Sequence, residues 1–361
     1  MKILINTTSI SIPAGVSSHF LGLKTYFSKN VVYNQYWTGG YIRRKIRFKA
    51  FQQPLRLTLM FIDLIKFVFL ILRYSRPIIL LNPSFGRTAL RRDALFLRIA
   101  KIFNCKTAVF FHGWDKDYLN KVLENRDLFS DIWYKADAFF VLAREFKAYL
   151  RELNIQSPIY LTTTKVDDRL VENIPQKKIS SISKILFLAR VEKSKGIFTA
   201  IDSFEILSKR YPHIELRVVG GGNALEEAKN YATEKKLAKI CFTGPLGGSE
   251  LKAEFRNTDL YILPTHGEGM PTSVLEAMAF GLPVISRPVG GLVDFFENDK
   301  MGYLIDSLDP GDYVNKIELL MNDIDKTSRI SSYNIQYAKE HFMASKVAKQ
   351  LEDSLLEISD L

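Results

Sequence analysis

Residues 259–286 read DLYILPTHGEGMPTSVLEAMAFGLPVIS, and this stretch carries the clearest structural pattern in the chain. The apolar run at 260–263 is typical of a buried parallel strand, and a second short strand is predicted at 283–285. Between them, Pro271 and Gly281 stand where a helix is expected to begin and end. The stretch therefore predicts strand, loop, helix and strand, which is the repeating unit of a parallel α/β sheet.

Two carboxylates flank the predicted start of this helix. Glu268 lies in the loop, and Glu276 follows eight positions later inside the helix. The open amides near Thr272 and Ser273 form a natural anion site. A ligand with both hydroxyls and phosphates, such as a nucleotide sugar, would use all three features. The alternative is that two glutamates share a helical region by chance, since glutamate is a good helix former.

The same alternation of strands and helices runs through both halves of the chain. Strands are predicted at 3–5, 78–81, 107–111, 138–142 and 159–161, and again at 185–189, 214–219 and 240–243. Helices are predicted at 16–27, 54–73, 88–103, 144–153, 196–209 and 225–236, with two more after residue 310. The polar, aperiodic segment 164–183 reads as a linker. The expected architecture is α/β, with two Rossmann-like, doubly wound domains facing a central cleft.

The net charge of +11 is unevenly distributed. Residues 1–170 contain 27 Lys and Arg against 12 Asp and Glu, whereas residues 171–361 contain 23 against 27. An anionic surface beside the N-terminal half is expected, either membrane lipid or nucleic acid. The two cysteines favour a reducing cytosol over a disulfide framework, and MKILINTTS reads as a first strand rather than a signal peptide.

The apolar segment 55–72 follows a basic run at 43–49. A membrane span is disfavoured because Arg56, Asp63 and Lys66 interrupt it. A packed helix of the N-terminal domain is the simpler interpretation, and docking at a membrane surface is the alternative.

Other candidate residues follow predicted strands, where doubly wound sheets bind ligands. Arg190 and Lys195 lie on one loop after the strand at 185–189 and could neutralise a diphosphate, unless they are ordinary solvated cations. His112 ends the strand at 107–111, and Gly15 closes the first strand-to-helix loop. The run at 220–222 could be a phosphate loop, although a tight turn is the simpler reading. The D-x-D pair at 115–117 is a weak metal candidate, and no metal site is predicted.

These motifs resemble glycosyltransferase family 4, the glycosyl transferases group 1, which are retaining enzymes of the GT-B fold. The resemblance is carried by EGMPTSVLEAMAFGLPVIS, ARVEKSKG, VVGGGN, FTGPL and RPVGGLVDFF, all between residues 184 and 300. It implies an acceptor domain at 1–165, a linker at 166–183, a donor domain at 184–340, and a C-terminal helix at 341–361 that returns to the N-terminal domain. The N-terminal half matches only in outline. Ala189, Ala14 and Asp294 depart from the residues that are usual in the family.

The resemblance also implies roles for individual residues. Glu276 would hold the donor ribose, Glu268 would contact the transferred sugar, and Arg190 with Lys195 would bind the diphosphate in place of a metal. His112 would line the face where the acceptor attacks. Backbone contacts to the donor are implied at Gly15, Leu246, Gly269, Met270 and Thr272.

Together, the motifs and the resemblance imply a hexosyltransferase that needs no cofactor or metal and uses a nucleotide diphosphate sugar as donor. The expected acceptor is a polysaccharide or a lipid-linked saccharide, and the expected location is cytoplasmic, at the inner face of the membrane. The alternative is a nucleic-acid-binding protein on a degenerate transferase fold, suggested by the arginines at 43–49 and 87–92. That alternative would leave Arg190, Lys195, Glu268 and Glu276 without a shared purpose.

Overall fold

The computed structural model describes residues 1–9, 15–36, 49–175, 177 and 179–360. Contacts divide the chain into unit 1, formed by Met1–Thr163 with Ala344–Leu361, and unit 2, formed by Thr164–Met343. The proposed linker at 166–183 lies within unit 2, where Val166, Ile179 and Ile182 are buried. The residues from 43 to 48 of the basic run lie outside the described residues.

Unit 1 is built on a sheet that, within the described residues, has six parallel strands in the order β2-β1-β3-β4-β5-β6. Their bounds are β1 Ile3–Thr8, β2 Val31–Tyr36, β3 Ile78–Leu81, β4 Thr107–Phe111, β5 Ala138–Val141 and β6 Ile159–Leu161. The central strands are apolar and buried throughout, as strands covered on both faces must be. The sequence does not predict β2, because Asn34 and Gln35 interrupt its apolar pattern. In the structure Asn34 Nδ2 donates to Asn6 Oδ1 of β1 at 2.8 Å.

The helices of unit 1 connect these strands and include the end of the chain. They are α1 Gly15–Leu23, α2 Lys49–Arg73, α3 Arg87–Ile102, α4 Lys116–Glu124, α5 Arg144–Glu152 and, after unit 2, α13 Ala344–Glu357. The first helix ends earlier than the predicted residue 27. Helix α13 packs on α1, and the backbone amide of Ser28 donates to Glu352 Oε2 at 3.0 Å.

Helix α2 packs against unit 1 through a narrow stripe of side chains. Asp63, Phe67 and Ile71 are buried, one helical turn apart, and Phe67 meets Phe96 of α3 edge to face. Much of the remaining apolar surface of α2 is exposed. Among the described residues, no helix is long and apolar enough to cross a membrane.

Unit 2 repeats the architecture, with described strands in the order β12-β11-β10-β7-β8-β9, all parallel. The strands are β7 Lys184–Leu188, β8 Glu215–Val219, β9 Ile240–Gly244, β10 Leu260–Leu263, β11 Val284–Ser286 and β12 Gly302–Leu304. The helices are α6 Asp168–Val171, α7 Ile197–Arg210, α8 Leu225–Glu234, α9 Gly248–Asn257, α10 Thr272–Ala279, α11 Pro310–Asn322 and α12 Ile324–His341.

The prediction of two helices after residue 310 was wrong, since the described chain there has α11, α12 and α13. Asp323 separates the first two of these helices. Its carboxylate accepts from the amide of Lys326 at 2.8 Å and so caps the start of α12.

Candidate functional site

Two loops of unit 2 come together at the carboxyl ends of neighbouring strands. Strands β7 and β10 pair in parallel, so the loop after β7 lies beside the loop after β10. Lys195 Nζ donates to Glu268 Oε1 at 2.6 Å, and these two side chains are only 14% and 16% exposed. The hydroxyl of Thr265 donates to the same carboxylate oxygen at 3.2 Å. Lys195 and Glu268, 73 positions apart in sequence, thus form one nearly buried ion pair.

Glycines allow the backbones of these loops to pack closely. Gly196 has a φ of +74°, and a Cβ placed there would lie 2.0 Å from the carbonyl oxygen of Pro264. Gly290 has a φ of +52°, and its Cβ would lie 2.2 Å from the carbonyl oxygen of Glu268. The amide of Gly291 donates to the carbonyl of Gly269 at 2.7 Å. The loops after β7, β10 and β11 are therefore fixed to one another around Glu268.

Arg190 lies on the same loop as Lys195, at the carboxyl end of β7. Its guanidinium pairs with Glu192 at 2.7 Å and is 69% exposed. The adjacent amide of Val191 donates to the carbonyl of Gly221 at 3.0 Å, so the glycine run at 220–222 supports the backbone of the Arg190 loop. The structure places the two predicted cations on one loop and pairs Lys195, rather than Arg190, with Glu268.

Glu276 lies on α10 and is half-buried. Burial raises the pKa of its carboxyl to about 7; nearby Lys165 opposes that shift and Asp167 adds to it. Lys165 is not among the residues predicted from the sequence; it follows β6 and is itself buried. No motif marks it, because its closeness to Glu276 is created by the fold. At the neighbouring position, the hydroxyl of Thr164 donates to the carbonyl of Met270 at 3.4 Å.

A buried tyrosine lies near both glutamates. The hydroxyl of Tyr261 donates to the carbonyl of Leu188 at 2.9 Å and lies 2.7 Å from the hydroxyl of Ser273. Burial raises the pKa of Tyr261, and the negative charges of Glu268 and Glu276 raise it further. Both carboxylates therefore lie near this one phenol, on the same side of unit 2.

The start of α10 has the open amides that the sequence analysis expects. The N-cap residue is Pro271, and no side chain caps the helix. Thr272 is part-exposed in the first turn, whereas Met270 is almost fully buried. Since the first amides of a helix have no partner within the helix, this end favours an anion. Leu246 lies farther along, in the loop after the edge strand β9.

The remaining predicted residues lie in unit 1, where His112 ends β4 and Gly15 begins α1. The side-chain amide of Asn82 donates to the carbonyls of Asn6 and Leu80, each at 3.1 Å. Its oxygen therefore faces the imidazole of His112, whose Nε2 donates to it at 3.2 Å. This contact leaves Nδ1 of His112 as the acceptor.

Helix α1 brings a second histidine to the same place. The ring centroids of His19 and His112 lie 5.2 Å apart. Burial lowers the pKa of His112 well below its usual value, and His19 lowers it further. Neither His19 nor Asn82 is predicted from the sequence, because neither belongs to a motif.

The metal candidate at 115–117 has a structural role. The carboxylate of Asp115 accepts from the amide of Tyr118 at 3.0 Å and caps α4. In the described part of the chain, no group of three or more His, Cys, Asp or Glu residues is placed to hold a metal ion.

Comparison with known sequences identifies a domain in unit 2. Residues 172–337 match the family described as glycosyl transferases group 1. The chain is 25% identical over 214 residues to the capsular polysaccharide biosynthesis glycosyltransferase CapM of Staphylococcus aureus, covering 58% of this chain and 56% of CapM. It is 30% identical over 179 residues to D-inositol 3-phosphate glycosyltransferase of Corynebacterium urealyticum, covering 47% of this chain and 42% of that protein. The chain thus spans about half the length of these curated relatives.

Solved structures resemble the chain over its whole length. Anabaena HepE in complex with UDP superposes with a TM-score of 0.74 at 17% identity, covering 99% of this chain and 100% of HepE. Sucrose-phosphate synthase from Thermosynechococcus elongatus superposes with a TM-score of 0.71 at 16% identity, covering 100% of both chains. These likenesses, with the two parallel sheets, confirm the predicted α/β fold of the GT-B type. Unit 2 therefore carries a domain of the glycosyl transferases group 1 family, and the whole chain has the fold of that family's enzymes.

Proposed function

We propose that this protein is a retaining glycosyltransferase that moves a hexose from a nucleotide diphosphate sugar to a polysaccharide or lipid-linked saccharide acceptor. The observation that carries this proposal is the Lys195–Glu268 pair beside the uncapped start of α10, with Glu276 on the same helix. Few ligands other than an activated sugar need two carboxylates, a buried cation and an anion-binding helix end at one place.

In this proposal the residues divide the donor between them. Lys195, Arg190 and the first amides of α10 bind the diphosphate, which is the leaving group. Glu276 accepts hydrogen bonds from the ribose hydroxyls, and Glu268 accepts hydrogen bonds from hydroxyls of the transferred sugar. Positive charge held in place at the departing diphosphate stabilises the transition state, and this is usually the largest electrostatic contribution available to an enzyme. The same cations would take the place of a metal ion.

His112 is assigned to the acceptor side of the reaction. Because the side-chain oxygen of Asn82 accepts a hydrogen bond from the Nε2–H group, Nδ1 of a neutral His112 would accept a hydrogen bond from a sugar hydroxyl. The acceptor class is supported by the similarity to CapM, which is named as a capsular polysaccharide enzyme. The choice of UDP as the nucleotide is supported by its presence in the HepE complex. An anionic membrane surface is proposed as a further partner, and nucleic acid is not proposed as one. The proposed location is the cytoplasmic face of that membrane.

The donor can be tested directly by ligand binding. We expect one of UDP-, GDP- or ADP-glucose to raise the melting temperature of the protein, because a ligand that binds only the folded state stabilises it by mass action. Lys195→Ala and Glu276→Ala should each weaken that ligand by roughly tenfold to a hundredfold in calorimetry, which is the loss of about 1.4–2.8 kcal/mol.

Lys193→Ala is the matched control. Lys193 lies two positions from Lys195 on the same loop, but its side chain is 69% exposed and pairs with Glu227. We expect its affinity for the nucleotide sugar to match the wild type. If Lys195→Ala and Glu276→Ala bind the nucleotide sugar as tightly as Lys193→Ala does, the roles assigned to Lys195 and Glu276 are wrong.

A further inference from the structure

Helix α2 leaves a continuous apolar stripe uncovered in unit 1. Six large apolar residues of this helix are between 51% and 71% exposed, namely Leu57, Phe61, Ile62, Ile65, Phe69 and Leu72. Residues three and four positions apart share one face of a helix, so five of them form a single line from Leu57 to Leu72, with Ile62 beside it. The buried residues Asp63, Phe67 and Ile71 lie on the opposite side.

Exposed apolar residues elsewhere in the described chain are scattered. Val293, Leu308 and Leu319 of unit 2, for example, come from separate elements. Single exposed apolar residues are ordinary, whereas a contiguous patch marks an interaction surface. The stripe on α2 is therefore expected to be an interaction surface that binds a partner.

The neighbouring helix α3 supplies positive charge. Five of its exposed residues, Arg87, Arg91, Leu95, Arg98 and Ile102, recur every three or four positions, so three arginines and two apolar side chains share one face. Helices α2 and α3 pack together through Phe67 and Phe96. At their far ends Leu72 and Ile102 line one groove of about 310 Å³, together with Arg76. The apolar stripe of α2 and the arginine-bearing stripe of α3 thus meet at a common groove.

Acidic side chains are almost absent from this part of the chain. Residues 1–92 contain 15 Lys and Arg but one acidic residue, Asp63, which is only 5% exposed. The exposed polar residues of α2 beside the stripe include Lys66 and Arg73. A surface that is apolar in the middle and positive at its edges is complementary to an anionic lipid bilayer, in which acyl chains lie beneath negative headgroups.

We propose that the exposed faces of α2 and α3 dock on an anionic membrane, with α2 lying in the plane of the interface. Phe61, Ile65 and Phe69 would enter the boundary between headgroups and acyl chains. Arg87, Arg91 and Arg98 would contact lipid phosphates. The charge pattern favours lipid over a second copy of this chain, because two such surfaces face to face would bring like charges together. This inference deepens the proposed function, since it names the surface from which a lipid-linked acceptor would be reached.

The experiment is co-sedimentation of the full chain with vesicles of phosphatidylcholine, with and without phosphatidylglycerol. We expect binding only to the vesicles that contain phosphatidylglycerol, weakening as salt is raised. The double variant Phe61→Glu with Ile65→Glu should lower the bound fraction by about tenfold or more, since it places charges where the helix must enter lipid. Arg87→Glu with Arg91→Glu should remove the preference for anionic vesicles.

Leu319→Glu on α11 is the matched control, because Leu319 is 49% exposed and lies in unit 2. It should bind vesicles as the wild type does. Nucleotide-sugar binding is measured on every variant, so failure of the donor site and failure of the membrane surface are separately visible. A wild-type chain that ignores anionic vesicles, or a Phe61→Glu, Ile65→Glu variant that still binds them, overturns the proposal. So does a dimer dissolved by that double variant, or salt-sensitive retention of nucleic acid in place of vesicle binding.

Discussion

Glu276 of unit 2 has a carboxyl whose pKa burial raises into the physiological range. Its raised pKa of about 7 means that the free protein holds this proton at pH 6 and has largely lost it at pH 8. A carboxylate that accepts hydrogen bonds from two ribose hydroxyls must be ionised. Nucleotide-sugar binding should therefore strengthen as pH rises through 7. We expect about a tenfold gain in affinity between roughly pH 6 and 8.

Calorimetry with an intact nucleotide sugar measures this gain, because its two phosphates do not titrate in that range. Glu276→Gln cannot ionise and should bind weakly with a flat pH profile. A wild-type profile as flat as that of Glu276→Gln would place the titrating group elsewhere.

His112 is held neutral in unit 1 by burial and by the closeness of His19. Since its pKa is lowered only in the folded state, the unfolded chain takes up this proton first, and stability falls as pH drops below about 6.5. Asn82→Asp should raise the pKa of His112, because a negative charge would replace the neutral acceptor at 3.2 Å. Asn82→Leu removes the acceptor without adding charge and should leave the pKa low.

Proton NMR titration of the His112 ring follows both variants. A pKa that moves equally in Asn82→Asp and Asn82→Leu would show that Asn82 does not face the imidazole.

At the scale of the elements, the site depends on close packing of the loops after β7 and β10. Gly196, the N-cap residue of α7, has a left-handed conformation, and a Cβ there would clash with the carbonyl of Pro264. Gly196→Ala should therefore lower the free energy of unfolding by about 2–4 kcal/mol, through backbone strain and a clash that side-chain movement cannot relieve. Urea denaturation of the full chain, followed by circular dichroism, measures the loss.

Gly267→Ala is the control, because a Cβ at Gly267 meets nothing within 4 Å. It should change stability by less than about 1 kcal/mol. Equal effects of the two substitutions would mean that the contact with Pro264 is unimportant.

At the scale of the whole molecule, the chain completes unit 1 only with its last helix. Leu355 of α13 is fully buried, whereas its neighbour Leu356 is 36% exposed. All three tryptophans, at positions 37, 114 and 133, lie in the part of the sequence that forms unit 1. Tryptophan fluorescence thus reports the unfolding of unit 1. We expect Leu355→Ala to lower its free energy of unfolding by about 2–5 kcal/mol, because the substitution leaves a cavity.

Leu356→Ala is the matched control in the same helix and should have a much smaller effect. A tryptophan transition that does not move in Leu355→Ala would indicate that α13 is not part of the cooperative unit.

The amino-acid order alone is enough to predict the alternation of strands and helices, the two parallel sheets and the stretch that carries Glu268 and Glu276. These features follow from local patterns, namely apolar runs, helix boundary residues and glycines next to strands, which act over a few positions. Strand β2 is not predicted, because its side chains are partly polar and its place in the sheet is fixed by pairing with β1.

Which distant residues come into contact is visible only in the folded chain. The pairing of Lys195 with Glu268, the closeness of Lys165 to Glu276 and the contacts of His112 with Asn82 and His19 all join separate elements. The exposed face of α2 also depends on packing, since sequence periodicity cannot say which apolar side of a mostly apolar helix is buried. Contacts between distant segments depend on how the sheets are ordered and how the helices pack, and no local pattern encodes either one.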